Sequence, residues 1–264
     1  MSSLSAIEWT DATWNPVTGC TKVSPGCKYC YAERLTERFG QQRFTEVVLH
    51  PERLQLPLRW RPPKMIFVNS MSDLFHERVP FTFVDQVFEV IGQMPQHTFQ
   101  VLTKRPDRLL LWHRGGDNDQ PVRAIPPNAW LGVSVESMTY AWRLDSLRRV
   151  AVAVRFVSAE PLLGPLTALD LTGIAWLITG GESGGSGARA LVEAMKSGWR
   201  VKPEALSWVR ELRDRCVRGG VAFFHKQWGG PRPTSGGRLL DGRIWSEYPD
   251  HTPALPPQRR VRNG

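Results

Sequence analysis

Seven short runs rich in β-branched and aromatic residues recur along the chain, at 13–18, 65–70, 98–103, 129–135, 154–158, 175–179 and 222–225. Each is too short for a stable helix and is bounded by polar residues, Gly or Pro, the pattern of a strand. Helix-like stretches at 28–39, 81–94, 106–113, 138–150 and 203–218 fall between them. Strands alternating with helices specify a parallel sheet, because parallel neighbours need a crossover that a helix supplies. The expected fold is therefore α/β, a partial or modified TIM-type (β/α) barrel. The final helix carries Pro203 near its start and Gly219-Gly220 past its end, the usual polarity of helix punctuation. Leu206, Val209, Leu212, Cys216 and Val217 recur on it at helical spacing, which makes Cys216 a core residue. No fixed-period repeat is present, so a solenoid is not expected.

In a parallel barrel the chemistry sits at the C-terminal ends of the strands, and polar residues after each run should converge on one mouth. Asn69, Ser70, Ser72 and Asp73 follow the second run, where a carboxylate or carbonyl could receive an ammonium. Lys104 and Arg105 follow the third and suit a carboxylate or phosphate, with Arg able to bind in a bidentate manner. Ser134 and Glu136 share one face at the end of the fourth. Ser158 and Glu160 end the fifth, and the sixth runs into a glycine-rich stretch from Gly180 and Gly181 through Glu182, Ser183 and Gly184 to Gly185. Glycine permits close backbone approach to a ligand, though without a following Lys-Ser or Lys-Thr this is no P-loop. The seventh ends in His225-Lys226-Gln227-Trp228, a set able to stack on and hydrogen-bond a base. Each cluster also has a plain structural alternative, such as Asp73 capping the next turn.

Three of the four cysteines, Cys20, Cys27 and Cys30, crowd into eleven positions as C-x6-C-x2-C, with Pro25 and Gly26 letting the loop wrap around a central object. A secreted disulfide framework would spread them differently, so a reducing compartment and a metal site are expected. Three thiolates suit an iron–sulfur cubane with one iron left open, whereas structural zinc takes four closed ligands. A zinc completed by His50, His76 or His225 is the alternative, in a nucleic-acid-binding module.

The loop resembles the signature of the radical S-adenosylmethionine superfamily, three cysteines after the first barrel strand with an aromatic residue before the last. Tyr29 holds that aromatic position, beside the adenine in the superfamily; the first spacing is six residues where three are typical. More widely, the opening from Ile7 to Cys20, Asn69-Ser70-Met71-Ser72-Asp73-Leu74-Phe75, Leu102-Thr103-Lys104-Arg105-Pro106, Gly132-Val133-Ser134-Val135-Glu136, Ser158-Ala159-Glu160-Pro161-Leu162, Gly180-Gly181-Glu182-Ser183-Gly184 and Lys226-Gln227-Trp228-Gly229 look like the phage Gp37/Gp68 family. These resemblances imply a [4Fe-4S] cluster on Cys20, Cys27 and Cys30, S-adenosylmethionine bound at its open iron, and a 5′-deoxyadenosyl radical as the reactive species. A reducing electron donor such as flavodoxin or ferredoxin would then be a partner. Cofactor contacts are expected from Tyr29, Ser70, Ser72, Asp73, Lys104, Arg105, Ser134, Glu136, Gly180 and Gly181, and catalytic roles from Glu160, Glu182 and Lys104.

The 264-residue chain carries a net charge of +9, which attracts polyanions at low salt and suggests a nucleic-acid or nucleotide substrate. Its start lacks a basic region followed by an apolar stretch, and no run approaches a membrane span, so a cytoplasmic location is expected. Residues 1–228 read as the barrel domain. Residues 229–264, rich in Pro and Gly and basic, read as an extension that folds back through Ile244 and Trp245. Trp9, Trp14, Trp130 and Trp176 sit in apolar surroundings and are expected to pack in or against the barrel.

Overall fold

A computed structural model describes residues 5–39, 43–116, 122–184, 189–232 and 235–250. Seven strands form one sheet: β1 (Ala12–Trp14), β2 (Met65–Val68), β3 (Thr98–Thr103), β4 (Ala129–Ser134), β5 (Val154–Ala159), β6 (Trp176–Gly180) and β7 (Ala222–Gln227). Every neighbouring pair is parallel, and the strands lie side by side in chain order. An order without reversal winds all crossovers the same way, so the sheet curls into a partial barrel instead of an open doubly wound layer. The helices are α1 (Tyr31–Phe39), α2 (Phe81–Gly92), α3 (Pro106–His113), α4 (Arg143–Arg148) and α5 (Pro203–Gly219). Among the described residues no helix is long and apolar enough to cross a membrane.

The pleat of the strands divides the core in two. Val101, Leu131, Val157, Leu177 and Phe223 face the helices, where Val84, Val87, Leu109, Leu144, Val209 and Leu212 meet them. Their neighbours in sequence, Trp130, Phe156, Trp176, Ile178 and Phe224, join Trp9, Met65 and Phe67 on the inner face. Trp176 is the hub of this inner plug, its ring centroid 5.6 Å from Phe156, 5.9 Å from Trp130, and 6.1 Å from both Trp9 and Phe224. Gly132 leaves the gap that Phe156 fills, since a Cβ there would lie 2.4 Å from the Phe156 ring. Two residues beyond Gly132, Phe156, Ile178 and Phe224, the same pleat turns Ser134, Ser158, Gly180 and Lys226 inward. The barrel thus has an aromatic floor and a polar rim at the C-terminal ends of its strands.

Two expected elements divide. The run 13–18 breaks after Trp14, because Pro16 has no N–H for a ladder; Val17–Thr18 then pairs antiparallel with Val48–Leu49. The stretch 138–150 becomes a 3-10 turn at Met138–Tyr140 and a short α4, whose Arg143 reaches back to the end of β4. The helix expected from residue 28 starts at Tyr31, after the cysteine loop. Helix α5 ends as its glycines require: Gly220 adopts φ 66° and its N–H bonds the Cys216 carbonyl.

Beyond β7 the chain returns to cover that strand's open edge. The His225 N–H donates to Trp245 O (3.0 Å) and the Glu247 N–H to Phe223 O (3.1 Å), which shields an edge otherwise open to pairing. A hairpin, Leu239–Leu240 against Arg243–Ile244, turns at Asp241 and Gly242, both at positive φ. Trp245 packs on Phe223 at 5.8 Å, while Ile244 remains 44% exposed, so the ring and not the aliphatic side chain makes the contact. The remainder of the extension, 251–264, lies outside the described residues, as does Gly185.

Candidate functional site

The cysteine loop is fixed at its entry by backbone geometry. Gly19 takes φ 84°, and a Cβ there would lie 1.9 Å from Glu46 O, so only glycine permits the approach. The Cys20 N–H donates to Phe44 O (2.8 Å) and the Gly19 N–H to Met71 O (3.2 Å). Ser72 Oγ donates to Val17 O (2.9 Å), Ser70 Oγ to Asn15 Oδ1 (3.2 Å), and the Tyr31 hydroxyl to Ser70 O. Ser70 and Ser72 therefore tie the loop to the end of β2. Cys20, Cys27 and Cys30 are free and half-buried, with Ser24 Oγ 3.8 Å from Cys27 Sγ. Cys216 is fully buried in α5, where desolvation pushes its thiol up to about 12.

At the end of β3, Asp73 and Arg105 form a knot around the first cysteine. Asp73 accepts the Phe75 N–H (3.0 Å), Thr103 Oγ1 (2.8 Å), the Lys104 N–H (3.0 Å) and Arg105 Nη1 (3.3 Å). Its carboxylate is thus occupied by protein donors and holds the strand end. Arg105 Nη1 also donates to Cys20 Sγ (3.6 Å), Nη2 to Thr21 O (3.1 Å) and Thr21 Oγ1 (2.9 Å), and Nε to Glu77 Oε2 (3.3 Å). Burial, then the Asp73 charge, push the Cys20 thiol up to about 11, and the Arg105 cation acts in the opposite direction. His76 accepts the Arg78 N–H at Nδ1 (3.1 Å), so Nε2 carries the proton and donates to Thr21 Oγ1 (2.9 Å). Burial and Arg105 lower its pKa, keeping this imidazole neutral.

On the inner wall Lys104 Nζ donates to Ser134 Oγ (3.1 Å), and Lys226 Nζ meets Glu160 Oε1 at 2.5 Å. Burial works against the Lys226 charge, but Glu160 and Glu8 outweigh it and hold the ammonium above its ordinary value. Burial raises the Glu8 carboxyl beside it. Gly180 leaves room for Glu160, whose carboxyl carbon would be 3.2 Å from a Cβ there. Glu136 is completely buried: Oε2 accepts from Arg143 Nη1 (2.9 Å), and Oε1 has no hydrogen-bond partner. A Cβ on Gly26 would sit 3.0 Å from that oxygen, so the cysteine loop passes directly over it.

A second clamp reaches the loop from beyond β6. Glu182 Oε2 accepts the Arg189 N–H (2.8 Å) and Nε (3.0 Å), and Oε1 accepts Nη2 (2.8 Å). The same Nη2 donates to Pro25 O (2.8 Å), and the guanidinium lies 5.4 Å from the Tyr29 ring centroid, with Lys28 Nζ at 5.3 Å from that ring. Gly181 serves backbone approach: its N–H donates to Gln227 O (2.9 Å), and a Cβ would lie 2.1 Å from Trp228 O.

The structure therefore joins Cys20 with Asp73 and Arg105, Lys104 with Ser134, Gly180 with Glu160, and Tyr29 with Glu182 through Arg189. It does not join Glu182 to Glu160. Arg189, Arg143, Thr21 and Arg34, which donates to Ser183 O (2.9 Å), also belong to the site but are not among the residues the motifs mark. Only Arg143 carried a signal, since it follows a buried-face Glu by seven residues; nothing local marks Arg189.

Among the described residues, no three His, Cys, Asp or Glu side chains form a group that could close on a single metal ion. The donor set fits an iron–sulfur cluster: three unbridged, half-buried thiols on one anchored loop, with a cation beside the first. His50 engages Thr18 (2.8 Å) and Glu52 (3.2 Å), His76 engages Thr21 and Arg78, and His225 is buried against Trp228 at 4.3 Å and bonded to Thr179 (3.0 Å).

The fold is a partial (β/α) barrel. The chain belongs to the family described as protein of unknown function DUF5131, whose model matches residues 4–249. Among solved structures it is similar to a spore photoproduct lyase variant at 13% identity and a TM-score of 0.57, covering 86% of this chain and 78% of the other. It is also similar to the lyase complexed with dinucleoside spore photoproduct, at 12% identity and 0.54, covering 86% and 78%. A further lyase variant, with bound AdoMet and the dinucleoside spore photoproduct, matches at 12% identity and 0.54, covering 86% and 79%. At these identities the likeness is one of fold. No curated protein sequence matches the chain.

Proposed function

We propose that this protein is a radical S-adenosylmethionine enzyme that modifies or repairs a nucleobase or nucleic acid, with a [4Fe-4S] cluster on Cys20, Cys27 and Cys30. The observation that carries the reading is the set of three free thiols on one loop at the mouth of this type of barrel. Cys20, Cys27 and Cys30 would hold such a cluster by three thiolates, and with S-adenosylmethionine bound it would supply radical chemistry for hydrogen abstraction.

The chain's own residues supply binding and orientation. Tyr29, set beneath Arg189 and Lys28, offers a ring face to the adenine. Glu136 Oε1 is unpartnered but sealed beneath Gly26, so Glu136 braces the cysteine loop from below, while Lys104 with Ser134 lies on the inner wall. Ser70 and Ser72 hold the loop's entry. Glu182 works through Arg189, keeping the loop over Glu136. Glu160, paired with Lys226, faces the space above the aromatic floor and is the group best placed to orient substrate or move a proton.

A nucleic-acid substrate is supported by the +9 charge, by the dinucleoside spore photoproduct complexed with the similar lyase, and by the motif resemblance to the phage Gp37/Gp68 family. A reducing partner of the flavodoxin or ferredoxin kind, and a cytoplasmic setting, belong to the same reading. Residues 1–228 then form the barrel domain and 229–264 a basic extension. Metal content tests the reading: protein purified without oxygen should hold about four irons with matching sulfide per chain. Stoichiometric zinc without sulfide would instead establish the structural zinc module.

A further inference from the structure

A guanidinium has five N–H donors and no acceptor. All five of those on Arg105 are spent on protein: Nε on Glu77, Nη1 on Asp73 and Cys20 Sγ, Nη2 on the carbonyl and hydroxyl of Thr21. The side chain is 9% exposed, so its charge is poorly screened by water. Its sequence position suggests a binder of a carboxylate or phosphate, yet no donor remains for one.

The geometry points to a different role: Arg105 is a positioning residue that pins the Cys20–Thr21 end of the loop and sets the reduction potential of the cluster bound there. Reduction adds a negative charge to the cluster. A cation donating a hydrogen bond to one of its thiolate ligands stabilises that added electron and raises the potential. Asp73 and Glu77 oppose the effect, each 3.3 Å from the guanidinium. Losing the Arg105 charge would leave the Asp73 and Glu77 carboxylates without their shared guanidinium partner. The arrangement thus works as a balance, with one cation against two carboxylates, and each member has a sign of its own. Thr21 and neutral His76 complete it by filling the remaining hydrogen-bond positions without adding charge.

This inference rests on the cluster assignment above, and its test separates the two. Wild type, Arg105→Gln, Arg105→Lys and Glu77→Gln are loaded with iron and sulfide anaerobically, and the cluster is titrated against a potential series with spin-resonance detection. At the wild-type midpoint, Arg105→Gln should show a reduced-to-oxidised ratio about tenfold lower, which for a one-electron couple is about 59 mV. Arg105→Lys, which keeps the charge, should recover most of that ratio. Glu77→Gln, at an exposed position that leaves folding intact, should raise the ratio, and this opposite sign keeps the test open if Arg105→Gln loads poorly. Affinity for S-adenosylmethionine should stay within threefold in Arg105→Gln. Ratios within twofold of wild type in Arg105→Gln and Glu77→Gln would overturn the inference while leaving the cluster assignment standing. An Arg105→Gln that binds S-adenosylmethionine tenfold more weakly at unchanged potential would overturn it too, and return Arg105 to the cofactor's carboxylate. A wild type that takes up no iron would instead remove the assignment on which both rest.

Discussion

Alanine in place of Cys20, Cys27 or Cys30 should leave a folded chain that retains no intact cluster and no longer cleaves S-adenosylmethionine. Each thiol is one of three protein ligands, and no fourth cysteine lies near enough to substitute, since Cys216 is buried in α5 among Leu212 and Val209. The three are half-buried and contribute little to the core, so stability should change by only about 0.5 kcal/mol, as for other substitutions away from the core. Iron per chain should fall from about four to below one, and 5′-deoxyadenosine formation to background. Cys216→Ala provides the contrast. It should load and turn over like wild type while losing on the order of 1 kcal/mol by urea unfolding. Full cleavage activity in any of the three loop variants would remove the triad from the mechanism.

Arg143→Met should be among the most destabilising single changes in the barrel, at about 3–5 kcal/mol. Arg143 and Glu136 are 1% and 0% exposed, and the guanidinium also donates to Ser134 O at 2.8 Å. Removing the cation leaves a buried carboxylate with both oxygens unsatisfied, because Oε1 already lacks a partner. The double variant Glu136→Gln with Arg143→Met removes the stranded charge and should regain part of the loss, giving an interaction of at least about 1 kcal/mol in a double-mutant cycle. Equilibrium unfolding in urea reads both quantities. A loss below 1 kcal/mol in Arg143→Met would mean that Glu136 is satisfied by other groups. Since Gly26 crosses over Glu136, Arg143→Met should also loosen the cysteine loop, visible as faster loss of iron in air.

The strands were legible because each is a short apolar run bounded by polar residues, and six of the seven lie within two residues of where periodicity puts them, the first ending four residues early. Helices α3 and α5 were equally plain, the latter from Pro203 and the paired glycines at its end. The first run misled because Val17 and Thr18 continue its β-branched character, while the break depends on Pro16 and on a partner strand thirty residues away. At the mouth, residue types pointed to the right places but not to the right partners. Arg105 offered itself as a ligand for an anion, whereas its fork is filled by Glu77, Asp73, Cys20 and Thr21, residues far off in sequence. Arg189 was invisible for the same reason: it follows the glycine-rich stretch without any periodic pattern, and its meaning comes from Glu182, Tyr29 and Pro25. Composition and spacing reveal which face a residue lies on; closure of a barrel decides what it meets there.

The central claim is that the loop of Cys20, Cys27 and Cys30 carries a redox cluster that opens S-adenosylmethionine. Its most direct test is the anaerobic incubation of iron-loaded protein with S-adenosylmethionine and a strong reductant, with 5′-deoxyadenosine and methionine measured against time. The expected result is formation of both products in equal amounts, dependent on the reductant and on the cluster. Iron-loaded protein that leaves S-adenosylmethionine intact under these conditions would contradict the account.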